Sequence, residues 1–336
     1  MRHGGKSENF VLKRIFARAA DSAQNLAGRA VRLGIGDDAA LFRPKRGHET
    51  ILTCDWFLEG THFLRDKHPP DAVAWKSLAR ALSDVAAMGG VPRCFLLSLA
   101  LPESHTGRWL DAFLGGLRRA SRKLACTLAG GDTTRRREIL ISVTAVGEIR
   151  STRAVLRSGA RAGDIIYVTG RLGEAELGLR LLKRSKTQPR SSNPLLIKQL
   201  YPEPRLAVGQ WLAQERLATS MMDLSDGLST DLPRLCAASG VGARVDSALL
   251  PVVRPSKAGR GPGVDSLQLA LHGGDDYELL FTVRPGKVNI LPKTLHGVPL
   301  TAIGRVTEQR ELVLLKQKGR ERQLHPGGWD PFRIKR

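Results

Sequence analysis

The stretch DAVAWKSLARALSDVAAMGGVPRCFLLSLAL, residues 71–101, decides the fold class. Residues 71–88 follow two prolines, carry apolar side chains at helical spacing and end at Gly89 and Gly90, which predicts a helix. Residues 93–101 are a short apolar run with the character of a strand. A helix joined closely to a strand predicts an α+β or mixed α/β architecture.

Segments before and after this stretch continue the mixture of helix and strand. Residues 8–20 and 106–125 predict two further helices in the first half of the chain. Short apolar, β-branched segments predict strands near residues 31–35, 50–54 and 138–148. Together these elements predict one N-terminal lobe.

A basic stretch at residues 150–163, RSTRAVLRSGARAG, precedes the apolar strand DIIYVTG and marks a domain boundary. We therefore predict an N-terminal α/β lobe over residues 1–150 and a C-terminal α/β lobe over residues 151–336. A chain of 336 residues suits two domains of roughly 150 residues each. In the second lobe we predict helices at 173–184, 204–215 and 227–238, and strands at 219–223, 277–283 and 299–306.

Composition argues against several classes of protein. No segment reaches the roughly 20 apolar residues that a membrane helix needs, and the start MRHGGKSENF has no apolar signal-peptide core. We therefore expect a cytoplasmic protein.

The cysteines lie far apart in sequence, without a CxxC pair, and predict reduced thiols rather than a zinc site. They are Cys54, Cys94, Cys126 and Cys236.

The formal charge of +21 raises the question of nucleic acid, because clustered Lys and Arg neutralise phosphates. The positive charge here is scattered, and no aromatic-interleaved basic stripe or zinc finger accompanies it. We therefore expect a solvated basic surface and no specific nucleic-acid partner. Such a surface can also attract anionic substrates such as nucleotides.

Aspartates recur at the ends of apolar segments, usually beside glycine, in GIGDDAA, LTCD, LSD, AGGD, MDLSDG and GGDD. A carboxylate in such a place can point into a cleft where glycine lets a phosphate approach the backbone. Each motif alone is more typical of a turn. Several facing carboxylates would repel one another unless divalent cations neutralised them, so the series favours a magnesium-nucleotide site.

Asp84 has a simpler interpretation on spacing alone. Helical periodicity places Lys76, Ser77, Arg80 and Asp84 on the face opposite Trp75, which predicts an exposed Arg80–Asp84 ion pair.

The chain has no Walker GxxxxGK[ST] motif and no protein-kinase HRD or DFG set. Its G-x-G in GIGDD is followed by aspartates, which argues against a dinucleotide fold.

The motifs GIGDDAALF, LTCDWFLEGTHF, KSLARALSDVAAMGGVP, AGGDTTR, SGARAGDIIYVTG, DLSDGLSTDL and HGGDDYELLFTV resemble, in order and spacing, those of the thiamine-monophosphate kinase family. The resemblance runs from about residue 34 to Trp329. It implies two α/β lobes of the aminoimidazole ribonucleotide synthetase type, and a homodimer formed through the N-terminal lobes. It also implies direct, in-line phosphorylation of thiamine monophosphate by ATP, without a covalent intermediate.

The resemblance further implies the roles of individual residues. It makes several magnesium ions the cofactors, leaves potassium as a further candidate, and gives ATP as the co-substrate. The implied metal ligands are Asp38, Thr53, Cys54, Asp55, Asp84, Asp132, Asp223 and Asp226. The implied ATP contacts are Gly131, Asp132, Arg157 and Ser225, and the implied substrate contacts are His62, Asp275 and Trp329.

Three features depart from the family pattern. Cys54 stands where a hydroxyl residue is common, so ligation there would have to use its backbone carbonyl, since a thiol suits magnesium poorly. Asp275 stands where glutamate is usual, which shortens its reach by one methylene. The high basicity is not typical of the family.

Two alternative functions stay open at this point. The first is a related enzyme of the same superfamily that uses ATP to activate another small molecule. Its selenophosphate-forming members carry a reactive cysteine or selenocysteine in an N-terminal glycine-rich segment, and its hydrogenase-maturation members end in a cysteine; this chain has neither. The second is a basic nucleic-acid-binding module, against which the complete aspartate series argues.

Overall fold

The computed structural model describes residues 10–15, 17, 30–35, 39–185, 193–253, 265–310 and 313–332. The chain divides into two compact units. The N-terminal unit comprises Met1–Val85, Gly90–Thr152 and Ser185–Pro189. The C-terminal unit comprises Ala86–Gly89, Arg153–Arg184 and Arg190–Arg336.

The N-terminal unit contains a four-stranded sheet in the order β3-β6-β4-β5. Its strands are β3 (His48–Leu58), β4 (Val91–Leu101), β5 (Thr127–Arg135) and β6 (Leu140–Arg150). Only the β4–β5 pair is parallel; the other two pairs of this sheet are antiparallel. The unit also contains the ribbon β1 (Val31–Leu33) and β2 (Leu41–Phe42), and the helices α1 (Pro70–Ala87) and α2 (Arg108–Lys123).

Helix α1 is buried on almost all sides. Leu78, Leu82 and Val85 are inaccessible to solvent, and so, nearly, are Lys76 and Ser77 at 1% exposure each. The prediction that Lys76 and Ser77 lie on an exposed face was therefore wrong. Helical periodicity identifies the apolar face, but it cannot tell whether the polar face is also covered by other parts of the fold.

The C-terminal unit contains an eight-stranded sheet with the order β14-β13-β9-β12-β7-β10-β8, in which β11 pairs with β12. The strands are β7 (Ile165–Thr169), β8 (Ala218–Leu224), β9 (Gly242–Asp246), β10 (Glu278–Val283), β11 (Thr294–Leu295), β12 (Val298–Thr307), β13 (Val313–Gln317) and β14 (Arg320–Gln323). The helices are α3 (Glu174–Arg184), α4 (Pro194–Leu200), α5 (Leu206–Gln214), α6 (Leu228–Ser239) and α7 (Ser266–His272).

The core of the C-terminal unit centres on β7, β8 and β10. Every residue of β10 is buried, as expected for a strand covered on both faces. Ile166, Met222 and Leu280 from these three strands share one apolar cluster with Leu232 of α6. This core fixes the ends of β8 and β10, where the polar loops of the unit begin.

The α+β prediction with two lobes of mixed helix and strand is confirmed. The sequence did not predict the strands β2, β5, β9, β11, β13 and β14 or the helices α4 and α7. The helix predicted at residues 8–20 lies partly outside the described residues; residues 10–15 are helical. Within the described part of the chain, none of the helices combines the length and apolar character that a membrane crossing needs.

Candidate active site

Three oxygen-bearing side chains of the N-terminal unit face one another between β3 and α1. Strand alternation places Thr53 and Asp55 on the same face of β3. The Thr53 hydroxyl donates to Oδ2 of Asp84 on α1. Nη2 of Arg80, one helical turn before Asp84, lies 3.5 Å from Oδ1 of Asp55. We call Thr53, Asp55 and Asp84 the N-terminal oxygen cluster.

Arg80 therefore reaches across to Asp55 on the neighbouring strand, which the spacing of α1 alone does not predict. Its guanidinium also lies over the ring of Phe57, 5.6 Å from the ring centroid. The side chain of Arg80 is only 15% exposed. A largely buried arginine beside Asp55 neutralises part of the charge of the cluster and holds that carboxylate in place.

The side chain of Cys54 points away from the N-terminal oxygen cluster. It lies on the opposite face of β3, where its Sγ is 3.3 Å from the hydroxyl of Ser142 and 3.5 Å from that of Thr144. The Cys54 thiol therefore cannot bind a metal ion together with Thr53 and Asp55. Sulfur is also a poor ligand for magnesium. Ligation through the Cys54 carbonyl stays a prediction.

Asp132 lies on the edge strand β5, directly after two glycines. Gly131 is in register with Leu97 of β4, and Asp132 with Ser98. A Cβ atom on Gly131 would overlap the carbonyl oxygen of Leu97, so only glycine allows this close pairing. The exposed Asp132 follows from that constraint. Asp38 lies outside the described residues.

In the C-terminal unit, the loop that follows the edge strand β8 lies beside the loop that precedes its neighbour β10. β8 ends at Leu224 after the buried Asp223, and β10 begins after the GGDD segment. The backbone N–H of Asp275 donates to the carbonyl of Ser225 at 2.8 Å, and that of Tyr277 donates to the carbonyl of Leu224 at 2.9 Å. The sequence motifs DLSDG and GGDD therefore form one surface.

A clamp made of Ser229, Thr230 and Asp231, in the first turn of α6, connects this surface to the C-terminal segment. Thr230 Oγ1 accepts a hydrogen bond from the N–H of Gly328 at 3.1 Å. The N–H of Trp329 donates to the carbonyl of Asp226 at 3.0 Å. Trp329 is thereby fixed next to Asp226, although the two residues are far apart in sequence.

Ser229, a second residue of the clamp, contacts both α7 and the C-terminal segment. Ser229 Oγ lies 2.8 Å from Nδ1 of His272 and accepts from the N–H of Gly327 at 3.2 Å. Burial, with the charge of Arg322 as a lesser cause, lowers the pKa of His272, which favours the neutral ring in this contact. Sequence analysis missed the clamp, because its partners lie outside any local motif.

Asp231 is buried and holds the loop that carries Asp226. Its Oδ2 accepts from the N–H of Asp226 at 3.0 Å, and Arg234 Nη1 donates to its Oδ1 at 3.0 Å and to Oδ2 of Asp226 at 2.5 Å. Burial, helped by the nearby charge of Asp226, raises the pKa of Asp231 to about 7. The D-x-x-R spacing in STDLPR was the available signal for this pair.

The two aspartates of the GGDD segment, Asp275 and Asp276, have different hydrogen-bond partners. Asp275 adopts a left-handed backbone conformation, with φ of 66°, and its Oδ1 accepts from the hydroxyl of Tyr277 at 2.7 Å. Asp276 turns toward the start of α3 and accepts from the N–H groups of Gly173 at 2.6 Å and Ala175 at 3.1 Å. Loss of water around its carboxyl raises the pKa of Asp276 to about 8. Asp275 is thus the member of the pair that belongs to the loop surface.

His62 and Arg157 were predicted to contact substrate and nucleotide. Nδ1 of His62 accepts from the N–H of Leu58 at 3.0 Å, so this nitrogen holds the turn after β3. Arg157 is exposed, and its carbonyl accepts from the hydroxyl of Ser239 at 2.9 Å. The backbone of Arg157 is therefore anchored, and its side chain extends from the surface of the C-terminal unit.

The donor atoms fit magnesium by type, because carboxylate and hydroxyl oxygens are the ligands that this ion takes in proteins. Within the described residues, no three His, Cys, Asp or Glu side chains lie close enough together to hold a metal ion by themselves. Magnesium is usually bound by one or two carboxylates plus waters and substrate phosphates. The residues therefore suit an ion that arrives with a nucleotide.

Comparisons with known proteins extend over almost the whole chain. The family described as AIR synthase related protein matches with its N-terminal domain over residues 36–149 and its C-terminal domain over residues 161–316. Thiamine-monophosphate kinase of Escherichia coli (strain K12) is 39% identical over 313 residues, covering 90% of this chain and 92% of that protein. The Bacillus subtilis (strain 168) enzyme is 34% identical over 319 residues, covering 90% and 94%.

Solved structures give the same result. The crystal structure of thiamine-monophosphate kinase from Stenotrophomonas maltophilia K279a has a TM-score of 0.81 and 34% identity, covering 94% of this chain and 98% of that one. The structure of AaThiL complexed with AMPPCP and TMP has a TM-score of 0.76 and 33% identity, covering 99% of both chains. The chain therefore belongs to the thiamine-monophosphate kinase family of AIR synthase related proteins.

Proposed function

We propose that this enzyme transfers the terminal phosphoryl group of ATP directly to thiamine monophosphate, forming thiamine diphosphate. The observation that carries the proposal is the similarity over 99% of the chain to a structure complexed with AMPPCP and TMP. The loop surface of the C-terminal unit supports it, because Asp226, Asp275 and Trp329 lie on connected loops at the end of β8, the strand that carries Asp223. Direct phosphoryl transfer needs no covalent intermediate with the protein, and it depends on the alignment of the two substrates.

The acidic residues are assigned to metal binding. Asp55 and Asp84, with Thr53, would hold magnesium in the N-terminal unit, together with Asp38, Asp132 and the carbonyl of Cys54; Asp223 and Asp226 would do so in the C-terminal unit. Bound magnesium neutralises phosphate charge and orients the transferred group. Arg80 and Arg234 fix the carboxylates Asp55 and Asp226 in orientation, as partners of metal ligands commonly do. Potassium stays a further candidate ion.

We assign the nucleotide and substrate contacts to residues of each unit. The exposed backbone of Gly131 and the side chain of Asp132 are assigned to the nucleotide, and Arg157 and Ser225 can donate to phosphate oxygens. His62, Asp275 and Trp329 are assigned to thiamine monophosphate, with the indole of Trp329 able to stack on its flat rings. The shortened acid at Asp275 is held by Tyr277.

The proposal is tested with purified protein, ATP, magnesium and thiamine monophosphate, followed by separation of the thiamine esters. We expect thiamine diphosphate and ADP in equal amounts, and no product in excess EDTA. Nucleotide cleavage without thiamine diphosphate would favour the related ATP-dependent activating enzymes. A control with thiamine in place of its monophosphate tests whether the acceptor must be a phosphate.

The Thr230 hydroxyl gives a prediction about substrate affinity. Thr230→Val keeps the shape of the side chain but removes the acceptor for the N–H of Gly328, and so loosens Trp329. We expect the KM for thiamine monophosphate to rise about tenfold, while kcat and the KM for ATP change less than about threefold. Steady-state kinetics measures this, with Thr230→Ser as the control that retains the wild-type KM. Equal kinetics in the Val and Ser variants would contradict the role of Thr230.

We also propose a homodimer formed through the outer face of the N-terminal sheet. Leu52, Trp56 and Leu96 lie on this face with 70%, 56% and 40% exposure, around the strip of Cys54, Ser142 and Thr144. Large apolar side chains grouped on one exposed face of a sheet are typical of a protein interface.

The cytoplasmic location and the absence of a specific nucleic-acid partner stay predictions.

The dimer proposal predicts the effect of a charge on that face. Trp56→Glu is expected to convert the dimer to monomers at micromolar concentration, because a carboxylate would be buried without a partner. Analytical ultracentrifugation measures the mass. Ile290→Glu, which changes an equally exposed apolar residue of the C-terminal unit, is the matched control and should leave the dimer intact. A monomeric wild-type protein would contradict the proposal.

A further inference from the structure

A cleft of about 380 Å³ lies in the C-terminal unit, and its lining includes neither Asp223 nor Asp275. It opens beside Ala218 and Thr219, the first residues of β8, whereas Asp223 is near the end of the same strand. Five residues of extended strand separate Ala218 from Asp223 by roughly 16 Å. The cleft is therefore distinct from the surface assigned to thiamine monophosphate. Gly159 in its wall lies two residues from Arg157, which is assigned to ATP.

Three cationic side chains line this cleft, from two separate segments. Arg216 comes from the turn before β8, and Arg284 and Lys287 follow β10. The antiparallel register of Val283 with Ala218 brings these segments together. Lys287 Nζ donates to the carbonyl of Arg216 at 2.9 Å, which fixes the two sides of the cleft to each other.

The positive charge of the cleft is not balanced by surrounding acids. Among the described residues, no carboxylate lies within ion-pair distance of Arg216, Arg284 or Lys287. The buried Asp164 lies behind the wall, where its Oδ2 accepts from the hydroxyl of Thr219 at 2.7 Å. Cations that converge without a counter-charge create a positive potential that attracts an anion.

The backbone of Arg216 gives a second indication. Arg216 follows the C-cap residue of helix α5, Glu215, and has a left-handed conformation with φ of 52°; its N–H donates to the carbonyl of Ala213 and that of Leu217 donates to the carbonyl of Leu212. Glycine is the usual residue at this position, because a Cβ atom is disfavoured there. An arginine in its place costs stability and gains a cation at the cleft. Strain retained in this way suggests a functional use.

We propose that this cleft binds a phosphorylated small molecule at a site separate from the surface assigned to thiamine monophosphate. Arginine pairs with phosphate through two parallel hydrogen bonds, and two arginines with a lysine suit a group with at least two negative charges. Gly159 in the wall of the cleft packs closely against the strand, because a Cβ atom there would collide with the carbonyl of Thr219. The volume of about 380 Å³ suits a compact ligand better than a polymer.

The test is isothermal titration of the full-length protein with inorganic pyrophosphate in EDTA, which suppresses metal-dependent binding at the active site. We expect one site, with affinity reduced about tenfold or more in Arg216→Gly and in Arg284→Ser. Arg310→Ser, at an exposed position elsewhere in the same unit, is the control for net charge and should bind as the wild type does.

Arg216→Gly makes the test independent of folding defects, because glycine relieves the left-handed strain. This variant should unfold at a temperature equal to or above that of the wild type while binding pyrophosphate more weakly. All three variants should form thiamine diphosphate at the wild-type basal rate, so failure of this proposal is distinct from failure of the proposed function.

Three results would overturn the proposal. One is wild-type affinity in both cleft variants, and another is an equal loss in Arg310→Ser, which would indicate diffuse surface charge. The third is tighter binding of a single-stranded oligonucleotide that depends on Arg284, which would indicate a nucleic-acid surface instead.

Discussion

Asp55→Asn is expected to lower kcat for thiamine diphosphate formation by roughly two to three orders of magnitude. The substitution keeps the size of the side chain but removes the charge that would hold magnesium, and phosphoryl transfer depends on charge neutralisation. Asp55 is also the carboxylate that Arg80 approaches, so asparagine would leave that guanidinium without its counter-charge. Steady-state kinetics at saturating ATP, magnesium and thiamine monophosphate measures the effect.

The matched control is Asp66→Asn, which removes the same charge from a side chain of the same unit that is 76% exposed. We expect this variant to keep wild-type kcat. Thermal unfolding of both variants separates catalysis from folding, and the melting temperature of Asp55→Asn should stay within a few degrees of the wild type. An active Asp55→Asn enzyme would remove this residue from the metal site.

Arg205→Met is expected to lower the free energy of unfolding by about 3–5 kcal/mol. Glu278 is 1% exposed, and its carboxylate accepts from both Nε and Nη2 of Arg205, the first at 2.6 Å. It also accepts from the hydroxyl of Thr169 at 2.6 Å, while Lys198 is 3.8 Å away. Removing Arg205 leaves a buried carboxylate with too few partners, at the start of β10.

Urea denaturation measures this loss. Arg244→Met is the control, because it breaks an exposed ion pair with Glu321 and should cost less than about 1 kcal/mol. The double variant Arg205→Met with Glu278→Gln should recover much of the stability, since no charge is then buried alone. A loss in Arg205→Met as small as that in Arg244→Met would mean that water reaches Glu278 in the folded protein.

Much of the fold could be predicted from local patterns. Helix α1 was bounded correctly to within one residue by the prolines before it and the glycines after it. Strand β5 was missed because its sequence, TLAGGDTTR, has turn-type composition, and only pairing with β4 makes it a strand. Gly131 is part of that strand because no side chain would fit against Leu97.

The candidate site was predictable where a motif is local. Strand alternation separates Cys54 from Thr53 and Asp55, and would have done so from sequence had β3 been predicted at its full length. The contact between Thr230 and Gly328 spans 98 residues and could not be predicted from spacing. The cleft lined by Arg216, Arg284 and Lys287 likewise depends on the pairing of β8 with β10, which no single segment encodes.

The most direct test of magnesium binding is a crystal structure with Mn²⁺ in place of magnesium, a non-hydrolysable ATP analogue and thiamine monophosphate. Anomalous scattering locates the metal independently of the protein atoms. We predict Mn²⁺ at about 2 Å from a carboxylate oxygen of Asp55 or Asp84 in the N-terminal unit, and Mn²⁺ at about 2 Å from a carboxylate oxygen of Asp223 or Asp226 in the C-terminal unit, each with phosphate oxygens completing the coordination. Nucleotide bound with all of these carboxylates free of metal would contradict the account.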